Sequence, residues 1–122
     1  MSPSSEGTLL ASAARTATTA SDWFCNDEHR GVHVTINATA ASATPSVVFT
    51  IQGLDRTSGQ TYDLLASAAI TGTGTTVLKV YPGLTASANA VASDVLPRDW
   101  RVRAVHADAD SITYSVGFSA LK

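Results

Sequence analysis

The chain has 122 residues and a formal net charge of −2, with eight Lys and Arg against ten Asp and Glu. That length fits one domain, and the near-neutral balance excludes the basic patch that drives binding to nucleic acid or to an anionic membrane. Ala, Thr and Ser number 20, 16 and 14, whereas Ile, Leu, Val and Phe together make only 27 of 122 residues. That share lies just above the roughly 20% below which a highly charged chain stays disordered, so a fold is expected around a thin core.

No stretch approaches the roughly 20 apolar residues of a membrane span. The opening Met1-Ser2-Pro3-Ser4-Ser5-Glu6 has neither a basic start nor an apolar run, so no secretory signal is expected. The single cysteine, Cys25, excludes an internal disulfide.

In chain order, residues 1–7 are Ser/Pro-rich and read as disordered or as an extended arm. Residues 8–16 suit a strand, with a helix as the alternative on Ala and Leu content. Residues 13–21 are small and polar. Together, residues 1–22 are expected to be a flexible N-terminal arm, and residues 23–122 the folded domain.

Beyond the arm the hydrophobic period is two. In Gly31-Val32-His33-Val34-Thr35-Ile36-Asn37-Ala38 the apolar side chains alternate, which predicts a half-buried strand with Val32, Val34 and Ile36 inward. Residues 46–52 are β-branched and aromatic. Residues 53–59 read as a hairpin loop leading to a strand over 61–66. A short strand is expected over 68–71 and another over 76–81, separated by Gly72-Thr73-Gly74 and closed by Pro82-Gly83. Residues 84–95 are poor in large side chains and read as a loop or one helical turn. Trp100, Val102 and Ala104 face one side of the next strand, and Arg101 and Arg103 the other. Asp108-Ala109-Asp110 is expected to join it, as a short hairpin, to a last strand with Ile112, Tyr114, Val116 and Phe118 inward. Seven or eight strands at this spacing predict an all-β fold, a single-domain antiparallel β-sandwich with an extended N-terminal arm.

Reactive side chains are densest in Cys25-Asn26-Asp27-Glu28-His29-Arg30-Gly31-Val32-His33. Cys25, His29 and His33 recur at a spacing of four, which on a helix would align three zinc ligands. Gly31 opens a strand, however, and only His106 remains to complete a site, so a polar loop is the stronger reading and no metal or cofactor is expected. A Cys25 nucleophile would need His29, His33 or His106 as base, an arrangement that any short chain with three histidines offers. Asp108 and Asp110 fit a turn better than a carboxylate pair for hydrolysis. Trp100 reads as a core anchor. Trp23 suits either a core plug or an interface, where Trp is enriched. No catalytic set emerges.

The run Arg30-Gly31-Val32-His33-Val34-Thr35-Ile36-Asn37-Ala38-Thr39, then Ile51-Gln52-Gly53, Val80-Tyr81-Pro82-Gly83, Leu96-Pro97-Arg98-Asp99-Trp100-Arg101-Val102-Arg103 and Ser111-Ile112-Thr113-Tyr114-Ser115-Val116-Gly117, resembles small virion structural proteins of tailed bacteriophages. Some of these are capsid decoration (cement) proteins. The resemblance implies a non-enzymatic β-sandwich on the outer capsid surface, made in host cytoplasm. It would bind the major capsid protein and copies of itself, a trimer being favoured, without contacting nucleic acid or membrane. Arg15, Trp23, Arg101 and Arg103 are the expected capsid or subunit contacts. A tail, neck or fibre position and a carbohydrate-binding module are the alternatives, the latter disfavoured by only eight aromatic Phe, Trp and Tyr residues.

Overall fold

The computed structural model describes residues 4–122. Among these, ten strands and no helix occur: β1 (Ser4–Arg15), β2 (Thr19–Ala20), β3 (Phe24–Cys25), β4 (Gly31–Ala41), β5 (Val47–Leu54), β6 (Thr61–Ala66), β7 (Gly74–Val80), β8 (Val91–Ala92), β9 (Asp99–His106) and β10 (Ile112–Leu121). They form two sheets. The first runs β1-β10-β4-β7-β8, the second β2-β9-β5-β6, and β3 pairs with β9 on the flank that β5 leaves free. Every pairing is antiparallel except the two-residue contact of β7 with β8. The all-β sandwich expected from the period of two is therefore the observed architecture.

The alternation places the core between the sheets, because successive side chains of a strand point to opposite faces. Val32, Val34 and Ile36 of β4, Leu78 and Val80 of β7, and Ile112, Tyr114 and Val116 of β10 meet Val47, Phe49 and Ile51 of β5 and Trp100, Val102 and Ala104 of β9 in one buried cluster. Three edge-on aromatic contacts tie the sheets together: Phe49 to Tyr114 at 4.9 Å, Trp100 to Phe118 at 5.3 Å and Phe24 to Phe118 at 5.1 Å between ring centres. Such contacts add to the area the rings bury. They compensate for the small residues elsewhere.

The N-terminal arm departs from expectation. Residues 4–15 are not loose: β1 pairs with β10 from Ser4 opposite Leu121 to Arg15 opposite Ile112, with register shifts around Leu10. No helix forms there. Small polar side chains suggested a free segment, yet Leu9 is buried and Leu10 packs beside it. Backbone pairing, to which a side-chain pattern is blind, holds the rest. The segment after β1 is also fixed. Ser21 donates its N–H to the Val102 carbonyl (2.9 Å) and accepts the Val102 N–H on its hydroxyl (3.1 Å). Residues 1–3 of the expected arm lie outside the described residues.

A second departure concerns connections. Asp108-Ala109-Asp110 does not close a hairpin, because β9 and β10 belong to different sheets. It is a crossing turn. Asp108 accepts the Asp110 N–H (3.1 Å), and Asp110 accepts the Thr44 N–H (3.2 Å) and hydroxyl (3.3 Å). The β5–β6 loop is a true hairpin. Gly59, at φ +77°, supplies its left-handed turn, and the Asp55 carboxylate accepts from Ser58 and Thr57. Those hydrogen bonds, Ser58 foremost, hold the Asp55 carboxyl below its ordinary pKa. The expected strand over 68–71 shrinks to one bridge, Ile70 to Val47, and residues 84–95 contain β8.

Candidate interaction surface

The four residues expected as contacts do not form one patch. On the outer face of the second sheet, Arg101 stacks on Trp23, its guanidinium carbon 4.4 Å from the ring centre. Its Nε donates to Gln52 Oε1 (3.0 Å), and Gln52 Nε2 donates to Asp63 (3.0 Å). This row spans β9, β5 and β6, because Gln52 lies opposite both Arg101 and Asp63. Arg103 projects from the same face of β9 and is exposed. Partial burial first, and the charge of Arg103 second, pull the Arg101 guanidinium below its ordinary pKa.

Arg15 sits elsewhere. It lies over the Tyr114 ring at 4.6 Å and donates to the carbonyls of Tyr114 (2.8 Å), Ala11 (2.6 Å) and Ala13 (3.3 Å). It caps the end of β1. Beneath it the Tyr114 hydroxyl meets His106 Nε2 at 2.9 Å. Burial pushes the Tyr114 pKa up and the His106 pKa down.

The larger feature is a cleft of about 520 Å³ between the N-terminal half of β1 and the segment after β3. Its floor is Phe24, Trp100 and Phe118, which pack against one another at 5.1–5.7 Å between ring centres. Its rim carries Cys25, Asp27, Glu28 and His29, with the β1 chain from Glu6 to Thr8 along one side. Asn26 shapes this rim. Its side-chain amide donates to the carbonyls of His29 (2.7 Å) and Leu96 (3.2 Å), while its Oδ1 accepts the His29 N–H (2.9 Å). Removing those bonds in Asn26→Ala is expected to cost about 1–2 kcal/mol in urea unfolding. A second depression, about 440 Å³, lies on the opposite face of the same sheet edge, over Thr8, Gly117, Thr35 and Ser119. It exists because Gly117, between Thr8 and Thr35 in register, has no side chain.

Behind the cleft, Asp99 is buried and holds Arg56 through two hydrogen bonds, Arg56 Nη2 to Oδ1 (2.7 Å) and Arg56 Nε to Oδ2. The Arg56 hydrogen bond holds the Asp99 carboxyl below its ordinary pKa, against the opposing effect of burial. A carboxyl depressed on folding contributes stability above its unfolded pKa and loses it as pH falls through the folded one. Asp99→Asn should therefore flatten the acid limb of a stability–pH curve. Because Arg56 is largely exposed, the difference should shrink in high salt.

Cys25, His29 and His33 fall on β3, a loop and β4, and no group of three or more His, Cys, Asp or Glu among the described residues is placed to hold a metal. The exposed Cys25 thiol lies 3.8 Å from Asp27. The cleft itself escaped sequence reasoning. Its rim was visible as the polar run 25–29, but nothing local says that two residues of β3 pair with Trp100 and Asp99.

Two sheets of mostly antiparallel strands packed face to face define the chain as a β-sandwich protein. No protein-family model and no curated protein sequence matches it. Among solved structures it is similar to the SPBc2 prophage-derived protein YomS, with a TM-score of 0.54 and 11% identity over 96% of this chain and 92% of that one. At that identity the likeness is one of fold.

Proposed function

We propose that this chain is a non-enzymatic structural protein of a bacteriophage virion: a decoration protein that binds the outer capsid shell and stabilises it. The observation that carries this reading is the near full-length likeness in fold to a prophage-derived protein, in agreement with the resemblance of the sequence to small virion proteins. The surface is compatible. Lysine, depleted at interface cores, occurs only at Lys79 and Lys122, and Trp23 and Arg101 present a side-chain pair of the kind enriched there. In this reading the partners are the major capsid protein and further copies of the chain, a trimer being favoured. Many modest contacts would add by avidity, and binding only the assembled shell would stabilise it by mass action.

Quantitative protein analysis of purified virions tests the proposal. A copy number comparable with that of the major capsid protein is the expected result. A few copies per particle would move the chain to the tail or neck, and absence from particles would overturn the virion reading altogether. The free protein is also expected to melt below the particle-bound form, as scanning calorimetry of both would show.

A further inference from the structure

The β1 edge of the first sheet is open. No strand lies beyond it among the described residues, so one row of its backbone donors and acceptors faces away from the fold. Edge strands are commonly guarded by lysine, proline or an overlying segment. β1 has neither residue, and its guard is partial: Arg15 covers the Ala11 and Ala13 carbonyls at the C-terminal end. That leaves residues 4–10 uncovered by it. The two depressions described above flank this same stretch, both lined by Glu6, Gly7 and Thr8, one on the core side of the sheet and one on its outer side.

A strand added beside residues 4–10 would send alternate side chains to opposite faces. One set would enter the aromatic-floored cleft, the other the shallow trough over Gly117. This is the geometry of β-strand addition, in which backbone bonds give affinity and flanking pockets read alternate side chains. Charge selects the occupant. The cleft rim bears Asp27 and Glu28; the Glu6 side chain, opposite Ser119, points to the outer face of the sheet. Among the described residues Asp27 has an internal cation, the exposed Arg98 at 3.5 Å, and Glu28 has none. Aromatic faces below acidic groups favour a cation with an apolar stem.

We infer that β1 accepts an extended segment of a partner protein as a further strand of the first sheet. An arginine or lysine of that segment enters the cleft over Phe24, Trp100 and Phe118, with small polar residues outward over Gly117. The inference rests on the reading above only in taking the occupant to be a protein partner.

The test is a titration of the full chain, labelled with ¹⁵N, with the peptide acetyl-Val-Thr-Arg-Thr-Val-Ser-amide and with its counterpart carrying Glu for Arg. The expected result is that the Arg peptide shifts resonances of residues 4–10, the 24–29 segment and the Trp100 indole, and slows amide exchange in residues 4–10. It should bind at least about tenfold more tightly than the Glu peptide. The exposed Glu28→Lys should abolish that preference, whereas Glu6→Lys, on the outer face of the sheet, should leave it in place. Three results would overturn the inference: no shift in residues 4–10 at millimolar Arg peptide, equal binding of both peptides, or cleft shifts with unchanged amide exchange in β1. None of these depends on virion copy number, so failure here and failure of the decoration reading are separately visible.

Discussion

Trp100→Ala is expected to lower stability to unfolding by about 3–5 kcal/mol, the range for deleting a fully packed aromatic side chain. Trp100 is 2% exposed and packs on Phe24 and Phe118, the latter from the opposite sheet. Little else can fill the space: Ala120, which lines the same cleft, is already minimal in volume. Because native domains are stable by only about 5–15 kcal/mol, the variant should lose a third or more of its margin. Its melting temperature should fall by about 10 °C or more. Urea unfolding followed by far-ultraviolet circular dichroism measures the loss. Trp23→Phe is the control. Trp23 lies on the outer face against Arg101, and its replacement should cost less than about 1 kcal/mol. Equal losses in the two variants would contradict the assignment of Trp100 as the joint between the sheets.

Gly31→Ala should be the other severe change, at about 3 kcal/mol, the upper end for overpacking. Gly31 is the buried first residue of β4 and lies opposite Leu121. A Cβ there would overlap the Val80 carbonyl oxygen and stand 2.5 Å from Tyr81 Cδ2 and 3.0 Å from Tyr81 Cα. Two of those three atoms are backbone in or beside β7, so relief requires moving a strand rather than turning a side chain. Gly117→Ala makes the comparison. Its Cβ would meet only the Gly7 carbonyl oxygen, at 3.5 Å, and the change should stay within about 0.5 kcal/mol. Parallel chemical denaturation of the two variants checks both values.

The inward faces of β4, β9 and β10 were legible because each alternates cleanly, and the observed burial follows the alternation except at Gly31 and Asp99, which are buried out of phase at strand starts, and at Phe118, which is half-buried. The β5–β6 hairpin was legible from its turn residues. Three things were not. β1 offers two leucines among small residues, and its stabilisation comes from pairing with a strand about a hundred residues later. β2 and β3 are two residues each, too short for any period to show. Which turns cross between sheets depends on how the sheets pack, and Asp108-Ala109-Asp110 has the composition of a hairpin turn while serving as a crossing. The same limits hid the cleft: its aromatic floor is assembled from β3, β9 and β10, and its rim from β1 and the loop after β3. Trp23 and Arg101 were both singled out, but the Gln52–Asp63 row that orients them needs the register of three strands.

The pairing of β1 with β10 has a consequence for synthesis. Among the described residues, β1 precedes every other strand and pairs with β10, the last of them. At roughly 5–20 residues per second, the intervening stretch takes some 5–20 s to translate. During that interval Leu9 and Leu10 have no sheet to join, and β4 lacks its β10 neighbour as well. The β5–β6 hairpin can form early, and β9 can then dock on β5, so the second sheet can mature ahead of the first. The first sheet closes only at the end. A nascent chain arrested before Ile112 should therefore be cleaved by protease within β1 while its β5–β6 hairpin is already protected.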